Sequence, residues 1–217
     1  MAKKNKEISS SNLLKIKPIT ESQKTVFETW KKGQNQFLFG CAGTGKTFVS
    51  LYLAMQDVLD LKTKYDKVIL VRSLIPTREI GFLPGDEEDK AALYQVPYQN
   101  MVKFMFEQPN EQAFNMLYDR LKNQGSLYFL STSFLRGLTF DNSIIIVDEC
   151  QNLNFHELDT ITTRVGQDSK IIFCGDFSQT DLIKQNEKNG LHDFLRVLME
   201  MQEFNCVEFN IGDIVRS

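Results

Sequence analysis

A three-layer α/β domain, with a mainly parallel central sheet and helices on both faces, is the fold the sequence predicts. Three observations predict it. Short apolar runs alternate with longer stretches of helical period along the chain, the pattern of parallel strands joined by crossover helices. Ile144-Ile145-Ile146-Val147 is apolar at every position, which suits a strand buried on both faces. A glycine-rich stretch, residues 40–47, lies between the first apolar run and the helical segment after it. In such sheets ligands sit beyond the carboxyl ends of the strands.

The elements follow in order. Thr20–Lys32 reads as a helix with Thr20 as N-cap and Gln23 at N3, a capping-box arrangement. Gln36–Phe39 is the first strand. Thr47–Leu61 is a helix whose Phe48, Leu51, Tyr52, Met55, Val58 and Leu59 share one face. Lys67–Val71 is a strand, and Asp89–Phe106 and Glu111–Lys122 are helices. Strands Ser126–Leu130 and Ser143–Val147 come next, then helix Phe155–Arg164, strand Lys170–Cys174, helix Gly190–Glu203 and strand Cys206–Phe209.

The chain has 217 residues, 42% hydrophobic and 24% charged, with a net charge of −3. This suits one soluble domain with a substantial core and gives no global basic signal for nucleic acid. No apolar run approaches a membrane span of about 20 residues, so no membrane partner is expected. Met1-Ala2-Lys3-Lys4-Asn5-Lys6 is basic, with no apolar stretch after it, so it reads as a solvated tail rather than a secretion signal. The expected division is a flexible tail over 1–18 and a single domain over 19–217. Cys41, Cys150, Cys174 and Cys206 form no C-x-x-C pair, as expected of reduced thiols in a cytoplasmic protein. His156 and His192 lie in expected helices without metal-like partners and read as surface or packing residues.

Residues Gly40-Cys41-Ala42-Gly43-Thr44-Gly45-Lys46-Thr47 match G-x-x-x-x-G-K-[ST], with a strand before and a helix after, the context that confirms this phosphate-binding motif. Its glycines let successive N–H groups face a phosphate, and the helix start adds positive potential. Lys46 is placed to reach the β- and γ-phosphates and Thr47 to ligate Mg²⁺. The strand Ser143–Val147 runs into Asp148-Glu149-Cys150-Gln151. Two carboxylates there fit triphosphate hydrolysis with Mg²⁺: Asp148 holding the ion's outer coordination sphere opposite Thr47, Glu149 as general base for water. Strand Lys170–Cys174 runs into Gly175-Asp176-Phe177-Ser178-Gln179. The Gln179 amide can donate to the γ-phosphate and accept from water, and Asp176 can orient neighbours. The competing reading of that stretch is a polar turn.

Together with Val71-Arg72-Ser73 and Gly81-Phe82-Leu83-Pro84-Gly85-Asp86, these motifs resemble the PhoH-like ATPase family, from about Ile19 to Ser217. They also resemble motifs I, II and III of the first motor domain of superfamily 1 helicases. The resemblance implies a three-layer P-loop NTPase (RecA-like) fold, ATP and Mg²⁺ as ligands, and Gln23 as reader of the adenine edge; its competing role is the capping box. It also implies a homo-oligomer, a hexamer in the family, and action on RNA or single-stranded DNA. Cys150 stands where the family usually has alanine, and Leu138 where a second arginine is common. Related helicases take the arginine at the γ-phosphate from a second motor domain, so this chain is expected either to be a weak ATPase alone or to receive an arginine from a neighbouring copy. Arg216 is the first candidate, ahead of Arg72, Arg164, Arg136 and Arg78, each also readable as a surface residue. Loop Leu74–Asp86, by the same resemblance, reaches nucleic-acid backbone, with Arg72, Ser73, Thr77 and Arg78 as donors. Tyr94, Tyr98, Phe104 and Phe106 offer stacking surfaces, but packing of their helix on the core is the favoured reading. The alternative function is a nucleotide-gated interaction module without motor activity. A small-molecule kinase ranks third, because Asp148-Glu149 favours activating water.

Overall fold

The computed structural model describes residues 7–73, 87–132, 135, 137–177 and 185–215, with the backbone alone for 87–92 and 185–192. Six strands form one sheet in the order β3-β2-β4-β5-β1-β6. They are β1 (Asn35–Gly40), β2 (Lys67–Arg72), β3 (Leu127–Ser131), β4 (Ser143–Val147), β5 (Lys170–Gly175) and β6 (Phe204–Phe209). Every pairing among them is parallel, as crossover connections require. The helices are α1 (Glu21–Lys31), α2 (Lys46–Leu59), α3 (Glu87–Met105), α4 (Glu111–Asn123), α5 (Phe155–Thr162) and α6 (Gln185–Glu200).

Alternation along the strands builds two cores. Leu38, Leu70, Ile144, Ile146 and Ile172 face one way, onto Val26, Leu51, Met55, Tyr98, Val102 and Leu121 of α1–α4. Phe37, Ile69, Val71, Ile145, Val147 and Phe173 face the other, onto Leu158 and Ile161 of α5 and Leu195 and Leu198 of α6. A strand with period-2 side chains and helices on both sides has no polar face to spare. That explains why β4 is buried throughout.

Register lines up the strand ends that matter. Phe39 pairs with Gly175, Val147 with Phe173, Val71 with Val147 and Arg72 with Ser131. The ends of β1, β2, β4 and β5 therefore open on one edge, beside the start of α2.

Residues 7–18 differ from the flexible tail expected over 1–18. Ile8 and Leu13 are buried in the first core. The Leu14 N–H donates to the Met105 carbonyl (2.8 Å). The Tyr52 hydroxyl donates to the Leu14 carbonyl (2.9 Å) and accepts from the Ile16 N–H (3.0 Å). The apolar residues Ile8, Leu13 and Leu14 outweigh the polar ones between them. Residues 1–6 lie outside the described residues.

Candidate functional site

The glycine-rich loop begins where β1 ends. Gly40 has φ +117, and a Cβ there would stand 2.1 Å from the Phe209 carbonyl oxygen, so only glycine fits between β1 and β6. Gly43 and Gly45 also have positive φ, at 74 and 84. Four loop carbonyls are taken by the fold. The Val215 N–H donates to Gly43 O (3.1 Å) and Gln23 Nε2 to Thr44 O (3.1 Å). Lys46 Nζ donates to Gly40 O (2.8 Å) and Cys41 O (2.6 Å). With its acceptors turned into the protein, the loop leaves its donor side for an anion, beside the amino end of α2. Lys46 is bent into its own loop, so reaching a phosphate means exchanging carbonyls for a stronger anionic acceptor.

Gln23 acts here as a brace. Its backbone N–H donates to the Thr20 hydroxyl (3.3 Å), the first half of the expected capping box. Its side-chain oxygen accepts from Ile19 N–H (3.0 Å) rather than from Thr20 N–H. Its amide nitrogen holds the phosphate loop.

The carboxylates sit across from the loop. The Thr47 hydroxyl donates to Asp148 Oδ1 and the Tyr98 hydroxyl to Asp148 Oδ2, each at 2.7 Å. The Asp148 N–H extends the β2–β4 ladder by donating to Val71 O (2.9 Å). Glu149 has φ 52 and ψ 41, a left-handed conformation uncommon outside glycine and often associated with functional sites. Its carboxylate accepts from Gln151 Nε2, and Gln151 Oε1 in turn accepts from Asp176 N–H (3.1 Å). Burial first, then the charge of Asp148, pushes the Glu149 carboxyl above its ordinary value; the Gln151 bond, Arg72 and Lys46 pull it back. A Cβ at Gly175 would stand 2.7 Å from Cys150 Sγ and 2.9 Å from Gln151 Oε1. The glycine that ends β5 therefore lets the two acid-bearing strand ends approach, and Cys150 fits against it.

Lys46, Thr47, Asp148 and Glu149 thus come together with residues 40–45 and Gln23. Gln179 and Arg216 lie outside the described residues, as do Arg78 and Arg136. Arg72 is engaged within its own chain, 5.4 Å over the Tyr94 ring and hydrogen-bonded to Tyr98. Arg164 lies at the opposite edge of the sheet, where its carbonyl accepts from Phe140 N–H (2.9 Å) below β4. Tyr94, Tyr98 and Phe106 are buried, as packing of α3 on the core predicts, whereas Phe104 is 60% exposed.

The roles of two residues escaped sequence reasoning. Gln151 carries a signal, its place two residues after Glu149 in the acidic motif. Tyr98 carries none, since its spacing is that of any core tyrosine. Among the described residues no group of three or more His, Cys, Asp and Glu side chains could hold a metal. Thr47 and Asp148 nevertheless suit Mg²⁺, which takes one or two protein oxygens and fills its octahedron with phosphate and water.

The described helices include none long and apolar enough to cross a membrane. The large terminase of a thermophilic bacteriophage, solved in complex with ADP, superposes with a TM-score of 0.50 at 14% identity over 91% of this chain and 47% of that one. That likeness concerns the fold. A PhoH-like protein of Synechocystis sp. is 32% identical over 202 residues, 93% of this chain and 58% of the relative. Protein PhoH of Escherichia coli strain K12 is 31% identical over 199 residues, 91% of this chain and 54% of the relative. The chain therefore spans between half and two thirds of the length of these relatives. The family model described as PhoH-like protein matches residues 15–217, and the chain belongs to that family.

Proposed function

We propose that the chain binds ATP with Mg²⁺ and hydrolyses it, as an oligomeric cytoplasmic ATPase coupled to unwinding or remodelling of RNA or single-stranded DNA. One observation carries the ATPase reading. The Thr47 hydroxyl at the loop and the Asp148 carboxylate at the β4 end are joined at 2.7 Å, so one small cation serves both. Thr47 and Asp148 would hold Mg²⁺, which would supply charge neutralisation at the β- and γ-phosphates. Lys46 leaves the Gly40 and Cys41 carbonyls for those phosphates. Glu149, made more basic by burial and held by Gln151, orients and deprotonates water. Gln179 senses the γ-phosphate from the segment after β5. Arg216 of a neighbouring copy supplies transition-state charge. Gln23 reaches adenine by trading its bond to Ile19.

Coupling to nucleic acid rests on family membership and on the helicase-like motif order. Phosphate release with and without RNA or single-stranded DNA tests both parts. Turnover that rises with single strands supports the motor reading. Turnover indifferent to them supports the interaction-module alternative. Absence of ATP-dependent phosphate release overturns the hydrolase itself. Light scattering with ATP and Mg²⁺ tests assembly, a strict monomer being the contrary result.

A further inference from the structure

The Tyr98 hydroxyl does something that core packing does not ask of it. The ring is 2% exposed and sits 5.7 Å from the ring of Phe129, a contact phenylalanine would make equally well. A buried phenol needs a hydrogen-bond partner, and this one is aimed at Asp148 Oδ2 (2.7 Å), on the acid whose other oxygen holds Thr47. Arg72, on the last residue of β2, hydrogen-bonds the same phenol. Tyr98 thus stands between a cation and an anion, and its one proton fixes the direction of the link. A carboxylate only accepts, so the phenol is the donor of this bond.

We infer that Tyr98 is a positioning residue for the magnesium-facing carboxylate, holding Asp148 in the orientation that Thr47 and a bound cation share, with Arg72 holding Tyr98. The inference rests on the proposed Mg²⁺–ATP site. With both oxygens of Asp148 tethered, its carboxylate plane does not have to be ordered when the metal arrives. Without the phenol, Oδ2 is free to turn and that ordering is lost. Groups that orient a metal ligand in this way typically change metal affinity by about 10–100-fold when removed. Tyr98 reaches Asp148 from α3, so a displacement of that helix would act on the metal site without touching the nucleotide.

The experiment is a Mg²⁺ titration of fluorescent ATP-analogue binding, on wild type, Tyr98→Phe and Arg72→Gln, repeated in EDTA. Tyr118→Phe, a buried tyrosine of α4 away from the site, is the control. The expected result is a Mg²⁺ midpoint about tenfold higher for Tyr98→Phe. Arg72→Gln shifts the same way by less. Binding in EDTA is unchanged throughout, and Tyr118→Phe titrates like wild type. A merely structural tyrosine predicts no shift in midpoint, and superimposable titrations for wild type, Tyr98→Phe and Arg72→Gln overturn the inference while leaving the ATP site intact. A wild-type protein that binds no analogue at any Mg²⁺ concentration overturns the ATP site itself, and the two failures are distinct.

Discussion

Two buried lysines stand at opposite ends of the same sheet, and they do opposite things. Lys46 follows β1 at the carboxyl edge, its ammonium on the carbonyls of Gly40 and Cys41. Lys170 opens β5 at the amino edge, its ammonium 4.0 Å from the Trp30 ring centroid and donating to the Trp30 carbonyl (3.3 Å). Lys46 is met by a loop whose glycines leave room for an anion beside a helix start. Lys170 is sealed beneath an indole whose own N–H is spent on Asp57 (2.9 Å). Burial brings Lys170 down to about 8, partly offset by Asp57. The difference shows that a buried cation becomes a ligand site only where the surrounding backbone can exchange its acceptors for an incoming one.

The largest expected effect comes from breaking the Lys46 end. Lys46→Ala removes charge-assisted bonds to phosphate worth about 1.5–3 kcal/mol each. ATP affinity should fall on the order of 100-fold or more, measured by calorimetry, and turnover should fall with it. Unchanged affinity would equate Lys46 with Lys170 and dissolve the contrast. Glu149→Gln should leave ATP bound and slow phosphate release by about 10²–10⁴-fold. Single-turnover kinetics separate the two quantities, and normal hydrolysis would remove Glu149 from its role. Gln151→Ala leaves the Asp176 N–H without that acceptor and frees Glu149. It should lower kcat about tenfold and cost about 1–3 kcal/mol of stability, read from the denaturation midpoint.

The smallest effect sharpens the Lys170 end. The folded pKa of about 8 lies below the ordinary value of 10.5, so between those values the unfolded chain binds a proton that the native chain does not. The Lys170 contribution to stability then rises with pH across that window. Tyr65, whose folded pKa is raised to about 12, and Cys150, Cys174 and Cys206, whose thiols burial raises above their ordinary value of 9.0, act in the other direction over the same range, so the Lys170 contribution is read as the difference between wild type and Lys170→Met. Denaturant titrations should show wild type gaining stability relative to Lys170→Met as pH rises from about 8 to 10. Equal slopes in both would mean Lys170 is not sealed. ATP affinity should be the same in both proteins at about pH 7.5, since Lys170 stands at the far edge of the sheet from the loop.

How much of this was legible depended on whether the signal was local. The strands are visible because Ile144–Val147 and the other runs have no polar face. The loop is visible because positive φ at Gly43 and Gly45 demands glycine in the sequence itself. The brace role of Gln23 was half visible, through its cap spacing, while its grip on Thr44 depends on α1 packing beside the loop. Tyr98 and Lys170 were hidden because periodicity reports which face a residue takes and not which atom its polar end meets. The partner of Tyr98 is set by the β2–β4 register, Val71 against Val147, which brings Asp148 under α3. The packing of residues 7–18 against the first core was hidden because their few apolar residues are spread among polar ones.

Titration calorimetry of wild type and Lys46→Ala with ATP in Mg²⁺ buffer addresses the central claim most directly. The account predicts one ATP bound per chain in wild type and affinity on the order of 100-fold or more lower in the variant. Wild type that gives no binding heat at any temperature, or a variant that binds as tightly as wild type, would contradict it.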